Sequence, residues 1–205
     1  NSYSKIEQFL HFCALGNDYS KEIFFNLERL IYPCSQREDA IYITGLARSG
    51  TTTLLNSIYK CEDFASLTYN DMPFVMGPNL WKNLTNFSLK NNRFMERSHK
   101  DNIYIDFQSP EAFEEVFWKI QCGKKYILKN FLKLHLVTKK TVDSLIKYQS
   151  LICHKYDKKR YLAKNNNLIM RIESLSKQVN DTKFLIMFRN PRDHAFSLMK
   201  QHLNF

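Results

Sequence analysis

The stretch IYITGLARSGTTTLLNSI, Ile41 to Ile58, constrains this chain more than any other. Its opening residues are apolar, rich in β-branched side chains and end on a glycine, the pattern of a strand buried on both faces of a parallel sheet. A loop bounded by Gly45 and Gly50 follows, after which Leu54, Leu55, Ile58 and Tyr59 recur at helical spacing. Strand, glycine-bounded loop and helix in this order can build an anion site. The glycines let backbone N–H groups approach a ligand at the positive end of the helix. The spacing matches G-x-x-x-x-G-K-[ST] at Gly45, Gly50 and Thr52, yet Thr51 stands in the lysine position and Arg48 sits inside the loop. Ser49, Thr51, Thr52 and Thr53 add hydroxyl donors. An ordinary strand-to-helix turn uses the same residue types, so the loop alone leaves both uses open.

A second segment, FLIMFRNPRDHAFSLMKQH, repeats the strand-to-helix layout near the end of the chain. Arg189 ends an apolar run read as a buried strand, Asn190 is placed to cap a helix, and Pro191 suits the first helical position. Ser197 lies about two helical turns beyond Arg189. This spacing lets a guanidinium and a hydroxyl converge on one tetrahedral anion, and the planar fork of arginine suits a phosphate. Surface ion pairing of Arg189 and Arg192 is the alternative use. A nucleoside-triphosphate site normally has an acid after such a strand to hold magnesium, and a loop lysine on the outer phosphates. Both are replaced here, which ranks a kinase or ATPase low.

Between and before these segments the apolar pattern alternates helix and strand. IEQFLHFCAL and KEIFFNLERLIY read as two N-terminal helices joined by GNDYS, with Ser20 as a cap. FASLTY, RYLAKN and KFLIMF read as further strands, the last two separated by the helical NLIMRIESLSKQV. SPEAFEEVFWKI predicts a helix capped by Ser109 with Pro110 at its first position, and TVDSLIKYQSLICHKY a strongly amphipathic one. Residues 78–102 are polar and weakly patterned, a surface excursion. The expectation is one α/β domain over 1–205, a P-loop-like three-layer fold whose central parallel sheet is flanked by helices. Its N-terminal helices would occupy 1–38 and the nucleotide-binding core 39–205.

Composition narrows the function classes. The 205 residues are 44% hydrophobic and 14% aromatic with few Gly and Pro, an ordered globular mixture with no apolar run long enough to cross a bilayer. The net charge of +10 asks for an anionic partner. The basic residues are nevertheless scattered in short groups such as Lys158-Lys159-Arg160, with no zinc-finger or RNA-recognition spacing. The five cysteines are far apart and form no C-x-x-C pair, so they read as thiols of a reducing compartment rather than a metal cluster. Sequons at Asn83, Asn86 and Asn180 are read as chance matches.

Taken together, GLARSGTTTLL and FRNPRDHAFSL resemble the 3′-phosphoadenosine 5′-phosphosulfate (PAPS)-dependent sulfotransferases. The first is similar to that family's 5′-phosphosulfate loop, the second to its 3′-phosphate element with Arg189 and Ser197 in the matching places. YNDMPF, ERSHKDNIYIDFQSPEAFEEVFW and YLAKNNN resemble a bacterial branch of the family. The resemblance implies sulfuryl transfer from PAPS to an acceptor hydroxyl, on a saccharide or glycolipid, in line at sulfur. It implies adenosine 3′,5′-bisphosphate as product, no metal, no nucleic-acid partner, room for peripheral membrane contact, and a bacterial cytoplasmic setting. Arg48, Ser49, Gly50, Thr51, Thr52 and Thr53 would hold the phosphosulfate, with Arg189 and Ser197 on the 3′-phosphate. Lys164 would steady the transferring group, and Asp71 would be the base, with His99 its rival. Relatives continue past the 3′-phosphate helix, so a chain ending at Phe205 is expected to be truncated at its C-terminus, with its activity depending on the missing segment. A kinase or NTPase with an unusual lysine placement and a non-catalytic anion- or nucleic-acid-binding domain are the two competing classes.

Overall fold

A computed structural model describes residues 10, 12, 14–33, 37–85, 95, 96 and 104–203. Its framework is four parallel strands in the order β2-β5-β1-β6: β1 (Asp39–Gly45), β2 (Phe64–Ala65), β5 (Arg160–Lys164) and β6 (Thr182–Met187). A separate two-stranded antiparallel pair joins β3 (Met95–Glu96) to β4 (Tyr104–Ile105). The helices are α1 (Asp18–Ile31), α2 (Thr51–Tyr59), α3 (Pro78–Thr85), α4 (Glu115–Tyr126), α5 (Lys139–Tyr156), the short α6 (Ile172–Ser176) and α7 (Pro191–Leu203).

Strand alternation divides the core into two layers, as the period of two requires. Ala40 and Tyr42 of β1 and Tyr161 and Ala163 of β5 face one side, where they meet Phe25 of α1, Phe117 and Trp118 of α4 and Leu145, Tyr148 and Ile152 of α5. Ile43 and Leu162 face the other side, against Leu55 of α2 and Phe64. The result is the P-loop-like three-layer α/β arrangement expected, with a helix on one face of the sheet and a larger helical layer on the other.

Buried carboxylates tie this larger layer to the sheet and its helices to one another. Glu114, just before α4, accepts hydrogen bonds from Tyr42 Oη at 2.7 Å, Tyr161 Oη at 2.8 Å and Trp118 Nε1 at 2.7 Å. Glu28 of α1 takes the backbone N–H groups of Asn79 at 2.6 Å and Leu80 at 3.0 Å, which are orphan donors in the first turn of α3. A helix is thus capped by the side chain of another helix. Arg171 is fully buried, its guanidinium 4.5 Å from the ring centroids of both Trp118 and Tyr126.

Several local expectations are corrected. The cap of α1 is Asn17, whose Oδ1 accepts from Ser20 N at 2.7 Å, because Ser20 lies already inside the helix. The helix predicted from Ser109 starts only at Glu115. Pro110 instead bridges Thr68 in antiparallel fashion and Glu111 N donates to Leu67 O at 3.1 Å, so the segment extends the sheet region before turning helical. FASLTY keeps two strand residues and then tightens into a 3₁₀ turn, Tyr69–Asp71. The run 166–176 is a 3₁₀ turn followed by α6 rather than one helix. Among the described residues β6 pairs only with β1, and Leu185 is 37% and Ile186 44% exposed, where its composition had suggested full burial. Cys122 and Cys153 are buried free thiols and Cys61 is exposed.

Burial pushes the Glu114 carboxyl up from its ordinary value of 4.5, against the pull of its three hydrogen-bond donors. The folded protein therefore binds that proton more tightly than the unfolded chain. This contribution to stability is fully present below the ordinary value and is lost as pH rises through the folded one. Glu28 is raised by burial in the same direction. Glu114→Gln, neutral at every pH, is expected to flatten its share of that decline, and urea unfolding across the acid-to-neutral range measures it.

Candidate functional site

β1 runs out at Gly45, which has a φ of 150°. A Cβ there would lie 2.7 Å from the Met187 carbonyl oxygen and 2.8 Å from Ser49 Oγ, so only glycine lets the strand end so close to β6. Arg48 and Gly50 then take left-handed conformations, with φ of 71° and 97°. These turns deliver the chain into α2 with Gly50 as its cap and no side-chain hydrogen bond at that cap. The first N–H groups of α2 therefore face the loop's concavity, the geometry that favours an anion. Ser49 Oγ is buried there without a hydrogen-bond partner, a donor suited to an anionic oxygen. Thr51 and Thr52 are buried at the same helix start, whereas Thr53 is exposed one residue further.

α7 closes against this loop. As expected, Asn190 caps it, its Oδ1 accepting from Arg192 N at 3.0 Å, and Pro191 opens it. Arg189 and Ser197 converge on a single partner, the loop residue Arg48. Arg189 Nη1 donates to the Arg48 carbonyl oxygen at 3.2 Å, and Arg48 Nε donates to Ser197 Oγ at 3.2 Å. His194, not anticipated from the sequence, adds a contact of 2.6 Å between Nε2 and the Ala47 carbonyl oxygen, with the imidazole donating. The two segments read as phosphate elements are thus one contiguous basic surface.

On the opposite side of β1, Lys164 ends β5. It is only 6% exposed, and its Nζ donates to Thr52 Oγ1 at 2.8 Å and to Glu111 Oε1 at 2.5 Å. A strand-end lysine in solution would have no such partners. Asn166, two residues on, approaches the loop as well: its Oδ1 accepts from Thr51 Oγ1 at 3.4 Å. Glu115 lies beneath, holding Asn165 Nδ2 and Asn167 Nδ2 at 2.9 Å each. Glu111 and Asn166 are site residues that the sequence reading passed over. Glu111 looked like first-turn helix acid, and the signal that could have found it is the lysine, which demands a counter-charge if buried.

Asp71 stands apart from this group. It is 0% exposed and belongs to the turn after β2. Its Oδ2 accepts from Thr68 N at 2.6 Å and Tyr156 Oη at 2.7 Å, and its Oδ1 is ion-paired with Lys155 of α5. Burial first, and the Asp71 charge second, push the Tyr156 hydroxyl far up, so that phenol remains a donor to the carboxylate. His99 lies outside the described residues. Among the described residues no cluster of His, Cys, Asp or Glu could hold a metal ion, and no helix is long and apolar enough to cross a membrane.

The profile of the Sulfotransferase family matches residues 40–205, which include the loop, β5 and α7. No curated protein matches the chain in sequence. A crystal structure of the sulfotransferase STF1 from Mycobacterium tuberculosis H37Rv, type1 form, is similar in fold with a TM-score of 0.50 and 15% sequence identity. The match covers 90% of this chain and 54% of that one, so the chain spans about half the length of that structure.

The packing around Asp71 carries a direct expectation. Removing one member of a buried ion pair leaves the other charged and uncompensated, at a cost of about 3 kcal/mol or more. Asp71→Asn should therefore lower the midpoint of urea unfolding markedly, whatever its effect on activity.

Proposed function

The chain belongs to the Sulfotransferase family, and from that premise we propose that it moves a sulfuryl group from PAPS to an acceptor hydroxyl. The observation that carries the reading is the joined basic surface of Arg48, Arg189 and Ser197, set against a buried loop hydroxyl, Ser49 Oγ, that lacks a partner. A donor with phosphate groups at both ends of a ribose fits such a surface, because one loop and one helix start can each take an anion. The donor brings a sulfuryl group already activated by its attachment to a phosphate leaving group.

The residues then divide the work. Ser49, Gly50, Thr51 and Thr52, with the N–H groups at the start of α2, hold the 5′-phosphosulfate. Thr53, exposed on the outer turn, contributes through its backbone N–H. Arg48 sets positive charge beside the sulfuryl oxygens from inside the loop. Arg189 and Ser197 exchange their contacts with Arg48 for the 3′-phosphate. Lys164 stabilises the charge that develops on the bridging oxygen, already lying against Thr52. The acceptor is a hydroxyl of a saccharide or glycolipid, and the setting is a bacterial cytoplasm with access to a membrane surface.

The competing kinase reading is weak on chemical grounds, since Thr51 replaces the loop lysine and the strand β6 is followed by Phe188 and Arg189 rather than an acid. Titration calorimetry separates the classes. Adenosine 3′,5′-bisphosphate is expected to bind without magnesium and in preference to ATP. Preference for magnesium-ATP would sink the proposal, and equal binding of any polyanion would favour a general anion-binding domain. Arg189→Ala should weaken bisphosphate binding by about 10- to 100-fold, the worth of a charge-assisted hydrogen bond, while leaving adenosine 5′-phosphate nearly unaffected.

A further inference from the structure

We infer that Glu111 is the proton acceptor for the acceptor hydroxyl, an inference that rests on the sulfotransferase reading and assigns the base within it. A general base must reach the proton it removes. Asp71 is sealed from solvent, with Thr68, Tyr156 and Lys155 arranged around its two oxygens. Its carboxylate holds the turn after β2 to α5, and an incoming hydroxyl would have to displace that packing.

Three glutamates follow within the run PEAFEE, and the structure gives each a different setting. Glu114 is enclosed by Tyr42, Tyr161 and Trp118. Glu115 is taken up by Tyr126 Oη at 2.5 Å and by the amides of Asn165 and Asn167. Glu111 instead pairs with a residue of the site itself. Its side chain is 15% exposed, and its Oε1 accepts from Lys164 Nζ at 2.5 Å and from Ala112 N at 2.9 Å. Lys164 Nζ in turn touches Thr52, so the carboxylate stands two hydrogen bonds from the start of α2.

The backbone at Glu111 is fixed independently of that ion pair. Glu111 N donates to Leu67 O, and the preceding Pro110 bridges Thr68, which pins the residue beside the carboxyl end of β2. A side chain on a fixed backbone at the sheet's carboxyl edge meets the requirement for a pre-positioned catalytic residue.

The ion pair supplies the timing. While Lys164 donates to Glu111, the carboxylate is a weak base, because a neighbouring cation favours its charged form. When Lys164 turns to the bridging oxygen of the donor, Glu111 loses that partner and becomes more basic at the step that needs it. Glu111 then takes the hydroxyl proton as the acceptor oxygen bonds to sulfur. The sulfur–oxygen bond to the 5′-phosphate breaks, and its electron pair leaves on that phosphate, to which Lys164 donates.

Glu111→Gln tests this, since glutamine can still accept from Lys164 but cannot take the proton. Calorimetry of adenosine 3′,5′-bisphosphate binding at about pH 5, in two buffers of different ionisation enthalpy, counts protons taken up on binding. The wild type should take up a fraction of a proton more than Glu111→Gln as Lys164 leaves Glu111, the protons released by the ligand's phosphates being common to both, with affinity held within a few-fold. Sulfuryl transfer from radiolabelled PAPS to water, read as released sulfate with enzyme in excess, should fall about a hundredfold or more. Glu111→Asp, if glutamine impairs folding, should keep the proton uptake and lose rate. Unchanged sulfate release, or the same proton uptake in Glu111→Gln, overturns the assignment, as does a wild type that binds the bisphosphate yet releases no sulfate above background. Failure of the wild type to bind the bisphosphate at all would instead overturn the sulfotransferase reading.

Discussion

Everything at the carboxyl edge depends on β1 being paired on both sides. Its register sets Ile43 beside Lys164 of β5 and Gly45 beside Met187 of β6. Three segments far apart in sequence therefore end at one level, and their terminal side chains meet without long reaches. Lys164 needs only to cross to Thr52, and Arg189 only to the Arg48 carbonyl. The alignment is rigid because a parallel ladder slipped by one residue would turn Tyr42 and Tyr161 out of the layer that Glu114 organises. The Glu114 hydrogen bonds and the strand register thus specify each other.

The elements most legible in the sequence were those with a single strong period or a special backbone demand. The loop from Gly45 to Gly50 could be read because each glycine answers a backbone demand: no side chain fits at Gly45 between Met187 and Ser49, and Gly50 takes a left-handed conformation. α5 could be read from its length and apolar stripe, although Tyr148, Leu151 and Cys153 are buried as well as the predicted face, since the helix packs on several partners. Arg48 was read onto the 5′-phosphosulfate and Arg189 with Ser197 onto the 3′-phosphate, and the fold brings the three into contact.

Where the reading departed from the fold, a tertiary contact had overridden a local signal. S-P-E at Ser109 has the composition of a helix start, yet Ser109 Oγ donates to Asp106 Oδ1 at 2.8 Å and Pro110 joins Thr68. Periodicity cannot show a bridge made with residues forty positions upstream. β6 reads as a buried strand because its residues are apolar, and periodicity cannot show how much of a strand is covered. The exposed Phe188, at 85%, and Phe196, at 63%, continue that apolar face onto α7. Asp71 was read from its place after a strand, and its ion pair with a lysine of another helix is a contact that periodicity does not show.

The replacement of the loop lysine acquires a spatial answer from β5. A lysine following Gly50 would project from the first residue of α2. Thr51 occupies that place and turns its hydroxyl to Asn166, while Lys164 approaches the next residue, Thr52, from the neighbouring strand. The ammonium group is thus brought to the helix start from outside the loop. This shift has a chemical consequence, because a lysine carried by the loop would be held by the same backbone that binds the phosphates. Lys164 is instead anchored in β5 and shares its ammonium with Glu111, a residue of a different segment. The cation at the helix start is thereby coupled to an acid that the loop does not carry. A phosphate-binding loop of the ordinary kind holds its charge within itself; here the positive charge on one side comes from β5 and on the other from Arg48, whose left-handed backbone is tied to Arg189. The loop contributes shape, N–H groups and the charge of Arg48, and the neighbouring strand β5 contributes the ammonium of Lys164.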